Sequence, residues 1–202
     1  MKRRIALGLA IATIALFSAV AYSTLGFQHP PSKTLTLDVS WARSYDLTSL
    51  SREAELIVKG VVIGERALSE YDLSFTLHTV RVERVIKGSL PTESSETIIV
   101  LQTGGQVDGT MLEVSDDPLM KPGDTLILFL ERYQQGFADK LAGTVFVPLG
   151  GPQGRFYLQS GRVYSAGEVY PRAELVTRHL KTGGVAEEQF VMQVQLLMGY
   201  PE

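Results

Sequence analysis

Eleven residues, Lys121-Pro122-Gly123-Asp124-Thr125-Leu126-Ile127-Leu128-Phe129-Leu130-Glu131, constrain this chain more than any other stretch. Leu126 to Leu130 form an unbroken apolar run between a turn and a charge. A run this short, rich in branched and aromatic side chains, predicts a strand covered on both faces rather than a helix. Pro122-Gly123 predicts the tight turn that feeds it, with proline fixing φ at the first central position and glycine accepting positive φ at the second. The other β segments are read as wrapping around this strand.

The flanking segments fill out a β-rich domain. Thr34 to Trp41 alternates with period two, placing Leu35, Leu37, Val39 and Trp41 on one face of a half-buried strand, with Trp41 closing one end of the core. Asp46–Glu55 predicts a short helix, capped by Thr48 or Ser49 with Glu53 as the capping-box partner. Leu56–Gly64 reads as a strand with a bend at Gly60. A hairpin near Ser69–Asp72 leads into a long strand, Leu73 to Ile86. Its alternation changes parity between Phe75/Leu77 and Val80/Val82, which predicts a bulge near His78-Thr79. Thr97–Gln102 is another strand. Gln106–Lys121 reads as a long loop holding one weak strand at Thr110–Val114. Leu141–Leu149 and Gly154–Ser160 are two further strands, and Ser160-Gly161 a hairpin turn. Two helices are expected at the C-terminus, Pro171–Lys181 and Glu187–Met198; the second sets Phe190, Val194 and Leu197 at helical spacing.

The N-terminus carries an address. Lys2-Arg3-Arg4 precedes the apolar stretch Ile5–Phe17, and Ala19-Val20-Ala21 offers an Ala-x-Ala cleavage pattern. Residues 1–27 therefore read as a signal peptide or an uncleaved membrane anchor, and both readings place the remainder outside the cytoplasm, secreted or tethered. The expected organisation is that segment, a linker and strand over 28–45, a β-barrel domain over 46–165, and a helical segment over 166–202 packed on the barrel.

Composition excludes several function classes. Cleavage after Ala21 removes three of the 19 basic residues, leaving 16 against 22 acidic ones, a net charge of −6 that argues against nucleic acid as partner. The chain has no cysteine, which rules out disulfides, thiol catalysis and thiolate-bound zinc. His29, His78 and His179 are far apart and fit no His-Glu-x-x-His frame, and there is no Gly-x-Ser-x-Gly elbow or phosphate-binding loop. No catalytic residue, metal ligand or cofactor is assigned.

Two strings remain as candidate ligand contacts. Gly150-Gly151-Pro152-Gln153-Gly154-Arg155-Phe156 holds three glycines in five residues, letting backbone approach a ligand closely, with Gly151, Gln153 and Arg155 as contacts and Arg155 able to reach a carboxylate. The acids Asp108, Glu113, Asp116 and Asp117 sit in one loop region that suits calcium in residue type but in no EF-hand frame; Asp116 and Asp117 join the candidate ligand set, while the simpler reading is a solvated acidic loop.

Leu56–Gly60, then Phe75–Ser89 with its Val-Glu-Arg-Val-Ile-Lys-Gly-Ser ending, then Gly123–Leu130 and Gly150–Phe156, resemble a family of exported bacterial proteins. The order of these blocks is similar to that of the netrin and tissue-inhibitor-of-metalloproteinase (NTR/TIMP-like) modules over roughly residues 50–165. The resemblance implies a mainly β, partly closed OB-type barrel of five to seven strands with C-terminal helices. In those inhibitors an N-terminal cysteine chelates the protease zinc; this chain has none, so no functional residue carries over. The expected function is a non-enzymatic exported module of the cell envelope that binds a protein, peptide or glycan. Two alternatives are an envelope hydrolase using Asp116 or Asp117 with Glu113, and a cysteine-independent protease inhibitor.

Overall fold

A computed structural model describes residues 31–91, 96–166 and 183–199. The expected N-terminal targeting segment and the helix at Pro171–Lys181 lie outside the described residues. In chain order the elements are β1 (Lys33–Leu37), α1 (Leu47–Glu53), β2 (Leu56–Glu70), β3 (Leu73–Lys87), β4 (Thr97–Thr103), β5 (Gly105–Val107), β6 (Thr110–Val114), β7 (Thr125–Arg132), β8 (Val145–Pro148), β9 (Arg155–Gln159), β10 (Arg162–Ser165), β11 (Val185–Ala186) and α2 (Glu187–Gly199).

The architecture is mainly β, and β7 organises it. It pairs antiparallel with β2 along one edge, and with β9 and then β8 along the other. Since β8 also pairs in parallel with β4, an eight-stranded sheet ordered β11-β10-β9-β7-β2-β3-β4-β8 turns back on itself and closes part of a ring. Leu126 to Leu130 are each 0% exposed, as a strand covered on both faces requires. Leu126, Leu128 and Leu130 point into the ring with Val58, Val62, Val80, Val100 and Phe146. Ile127 and Phe129 point outward, where Leu50 of α1 and Phe190 and Val194 of α2 cover them beside Phe156 of β9. Phe129, Phe156 and Phe190 meet edge-on or tilted, with centroids 5.3 Å apart for the first pair and 4.9 Å for the second. The turn into β7 forms as expected: Asp124 N–H donates to Lys121 O at 2.9 Å, and Gly123 has φ +96°.

Several expectations need correction. The first strand ends at Leu37, and its residues are largely exposed rather than half-buried. Trp41 is 41% exposed and lies against Gly151, so it covers a turn instead of closing the core. The cap of α1 is Asp46, not Thr48 or Ser49. Its carboxylate accepts from Ser49 N–H at 2.7 Å while Ser49 Oγ accepts from Asp46 N–H at 3.0 Å, so Ser49 takes the partner role assigned to Glu53.

The parity change in β3 has a different origin from a bulge at His78-Thr79. The extra residue is Ile63 on β2, between the pairs Val62–Val80 and Gly64–Thr79. Phe75 and Leu77 are apolar because a second small core, built on Leu101, Phe137 and Val145, covers the outer face of β3 and β4. Thr76, His78 and Val80 keep the inward parity throughout and are buried. Gly60 holds a close approach, since a Cβ there would sit 2.7 Å from Arg81 O.

The long loop over Gln106–Lys121 is more ordered than expected. Its weak strand is β6, and it pairs with both β5 and β1 in a separate three-stranded sheet. The expected strand Leu141–Leu149 shrinks to β8, and the glycine-rich string 150–154 is a 3₁₀ turn interposed where β8 hands the edge of β7 to β9. The α2 face carrying Phe190, Val194 and Leu197 packs inward, as its spacing predicts.

Candidate functional site

The open end of the ring is polar, and segment 115–121 between β6 and β7 folds into it. Arg155 stands opposite Leu128 in register, so its side chain enters the ring, where it is fully buried. Its Nη2 donates to Asp117 Oδ1 and its Nη1 donates to Pro118 O at 2.8 Å. Gln102, at the end of β4 on the same parity as Ile98 and Val100, grips the segment from the other side. Its Nε2 donates to Asp117 Oδ1 and to Pro118 O, both at 3.0 Å, and its Oε1 accepts from Met120 N–H at 3.1 Å. Met120 itself is 0% exposed and closes the ring interior. An arginine and a glutamine from two strands thus clamp a loop at three residues, Asp117, Pro118 and Met120.

Electrostatics follow from burial. Asp117 is 5% exposed, and desolvation pushes its carboxyl up while Arg155 and Gln102 pull it back. His78 lies on β3 at the same end, 0% exposed, and neither imidazole nitrogen has a hydrogen-bond partner among the described residues. Burial, reinforced by the Arg155 charge, pushes its pKa down to about 4. It is a neutral ring wherever the domain is neutral or mildly acidic.

On the outer side of the same segment lies a cleft of about 440 Å³. Thr36 of β1 and Met111 and Glu113 of β6 form one wall; Asp116, Asp117, Pro118 and Leu119 form the other. The parallel register Thr34–Met111 and Thr36–Glu113 puts these side chains on one face of the small sheet. Ser115 anchors the junction, its N–H donating to Leu37 O at 2.9 Å and its hydroxyl to Asp38.

The residues singled out from sequence divide into two groups. Asp117 and Arg155 come together as a buried ion pair, and the solvated-loop reading fails for Asp117 because Arg155 and Gln102 draw it inside. Asp116 is exposed at the cleft, with φ +61°. Gly151 and Gln153 lie elsewhere, in the 3₁₀ turn, and their contacts are internal. Gln153 Oε1 accepts from Tyr45 N–H at 2.7 Å, and its Nε2 donates to Arg43 O and Gly150 O, both at 3.2 Å. A side chain on Gly151 would run into the Trp41 ring. These two residues fasten segment 41–45 to the barrel. Gln102 was not singled out; its signal was a polar side chain on the inward parity of an apolar strand. Among the described residues no three His, Asp or Glu side chains converge in a way that would hold a metal ion.

No family model matches the chain, and no curated protein matches it.

Proposed function

We propose that this chain is an exported, non-enzymatic binding module whose ligand site is the cleft between β1, β6 and segment 115–121. The reading includes an OB-type barrel related to the NTR/TIMP-like modules. It is supported by the ring β2-β3-β4-β8-β7, in which β4 and β8, the third and last of these strands in chain order, pair in parallel and the rest antiparallel. The domain works outside the cytoplasm, secreted or held by its N-terminal segment, and its partner is a protein, peptide or glycan of the envelope. Folds of this type host many functions, so the site has to carry the argument.

The observation that carries it is the cleft: its volume falls in the range of small-ligand sites, and one wall is a loop pinned from inside by Arg155 and Gln102. A wall so held is preorganised, which limits the ordering cost of binding. A carboxylate-pair hydrolase is less well supported, because Asp117 already neutralises a buried guanidinium. The test is affinity capture from envelope extract with the tagged chain and with Thr36→Trp, an exposed substitution that fills the cleft. Species held by the parent and lost by the variant support the reading; an identical set on both overturns it.

A further inference from the structure

We infer that the cleft receives a basic side chain, lysine or arginine, of an extended peptide. The inference rests on the cleft being a binding site. Its walls combine two chemistries. Met111, Val114, Pro118 and Leu119 supply an apolar lining, and Glu113 and Asp116 supply carboxylates with no ion-pair partner among the described residues. Lys121 is the one basic residue of the lining, so with Asp117 balanced by Arg155 the walls carry −1.

A second observation points the same way. Asp117 is nine-tenths buried, yet it reaches the cleft with one oxygen still available. Oδ1 takes both the Arg155 and the Gln102 donors, while Oδ2 accepts no hydrogen bond from the described residues. That oxygen faces the cleft and is open to solvent, so a donor arriving with the ligand would take the place of water on it. Lysine and arginine offer what these walls lack, an apolar stem ending in cationic donors. A bare divalent ion fits less well, since no three carboxylates converge. A sugar fits less well too, since no aromatic ring lines the cleft. An extended peptide suits the approach, because β1 is an edge strand of its sheet among the described residues and can pair with one more strand.

The test uses the full-length chain in mild detergent and fluorescent pentapeptide pools, random except for a fixed central Lys, Arg, Leu or Glu. The expected result is that Lys and Arg pools bind about fivefold tighter than Leu pools and tighter still than Glu pools, a factor that two partly exposed ion pairs supply. The preference shrinks in 0.5 M salt. It collapses in Glu113→Gln/Asp116→Asn, where asparagine tolerates the positive φ at 116, and survives in Asp108→Asn, an exposed acid outside the cleft. Binding by every pool with equal strength, abolished by Thr36→Trp, would keep the cleft as a site and overturn the basic-side-chain inference. No binding by any pool, or binding that survives Thr36→Trp, would overturn both.

Discussion

Leu128 and Arg155 face each other in register on β7 and β9, both 0% exposed, and they divide the ring interior into two regions of different physics. Around Leu128 the contacts are apolar and non-directional: Val58, Val80, Val100 and Phe146 would accept many shapes of neighbour at modest cost. Around Arg155 each contact is a directed hydrogen bond with one suitable partner. The first region holds the ring closed. The second holds one loop in one position, and that loop is a wall of the cleft. Buried charge here earns positional definition more than stability.

The largest expected effect comes from Asp117→Ala. It leaves the Arg155 guanidinium buried without a counterion and should cost about 3–5 kcal/mol in urea unfolding. Replacing both members, Asp117→Leu with Arg155→Met, should recover most of that loss, because two apolar side chains carry no desolvation cost. If the double variant were as unstable as the single one, the contrast between the two regions would be wrong.

Leu128→Ala should cost about 3 kcal/mol through lost transfer energy and the cavity left behind. Hydrogen exchange separates it from Asp117→Ala. The alanine at 128 should leave protection of segment 115–121 unchanged relative to the rest, whereas the alanine at 117 should lower it selectively.

A comparable effect, confined to acid pH, is the pH dependence contributed by His78. Its folded pKa, about 4, lies below the ordinary value of 6.5, so the unfolded chain binds the proton first. Its neutral form therefore contributes full stability above pH 6.5. That contribution falls away as pH drops toward 4, by on the order of 3 kcal/mol, and below 4 no more is lost from this group. Protonation would set an imidazolium against the Arg155 charge of β9, with Gln102 of β4 the neighbour that favours it and Glu65 opposite it in register on β2. His78→Leu should flatten the unfolding profile across that window; an unchanged slope would remove His78 from the account.

The smallest effect probes the other fastening, at the 3₁₀ turn. Gly151→Ala places a methyl where the Trp41 ring lies and strains a φ of +63°, at a cost of about 1 kcal/mol. Since Trp41 is the single tryptophan, its emission should shift to the red while the far-ultraviolet spectrum stays constant. Unchanged emission would mean that Gly151 does not seat the ring.

The sequence by itself determined the local matters. Leu126 to Leu130 is too short and too apolar for anything but a strand buried on both faces. Pro122-Gly123 and Ser160-Gly161 set their turns through φ, and Phe190, Val194 and Leu197 set the inward face of α2 through the 3.6-residue period. Only the tertiary structure decided which of the candidate residues meet. Asp117 and Arg155 are 38 positions apart, and nothing local distinguishes Asp117 from its solvated neighbour Asp116. Closure of the ring brings β4 and β9 to the same end, and desolvation there makes the pairing of one carboxylate obligatory. By the same logic Phe75 and Leu77 looked like a slip in register. Period-two alternation reports that a face is covered, but not which of two cores covers it.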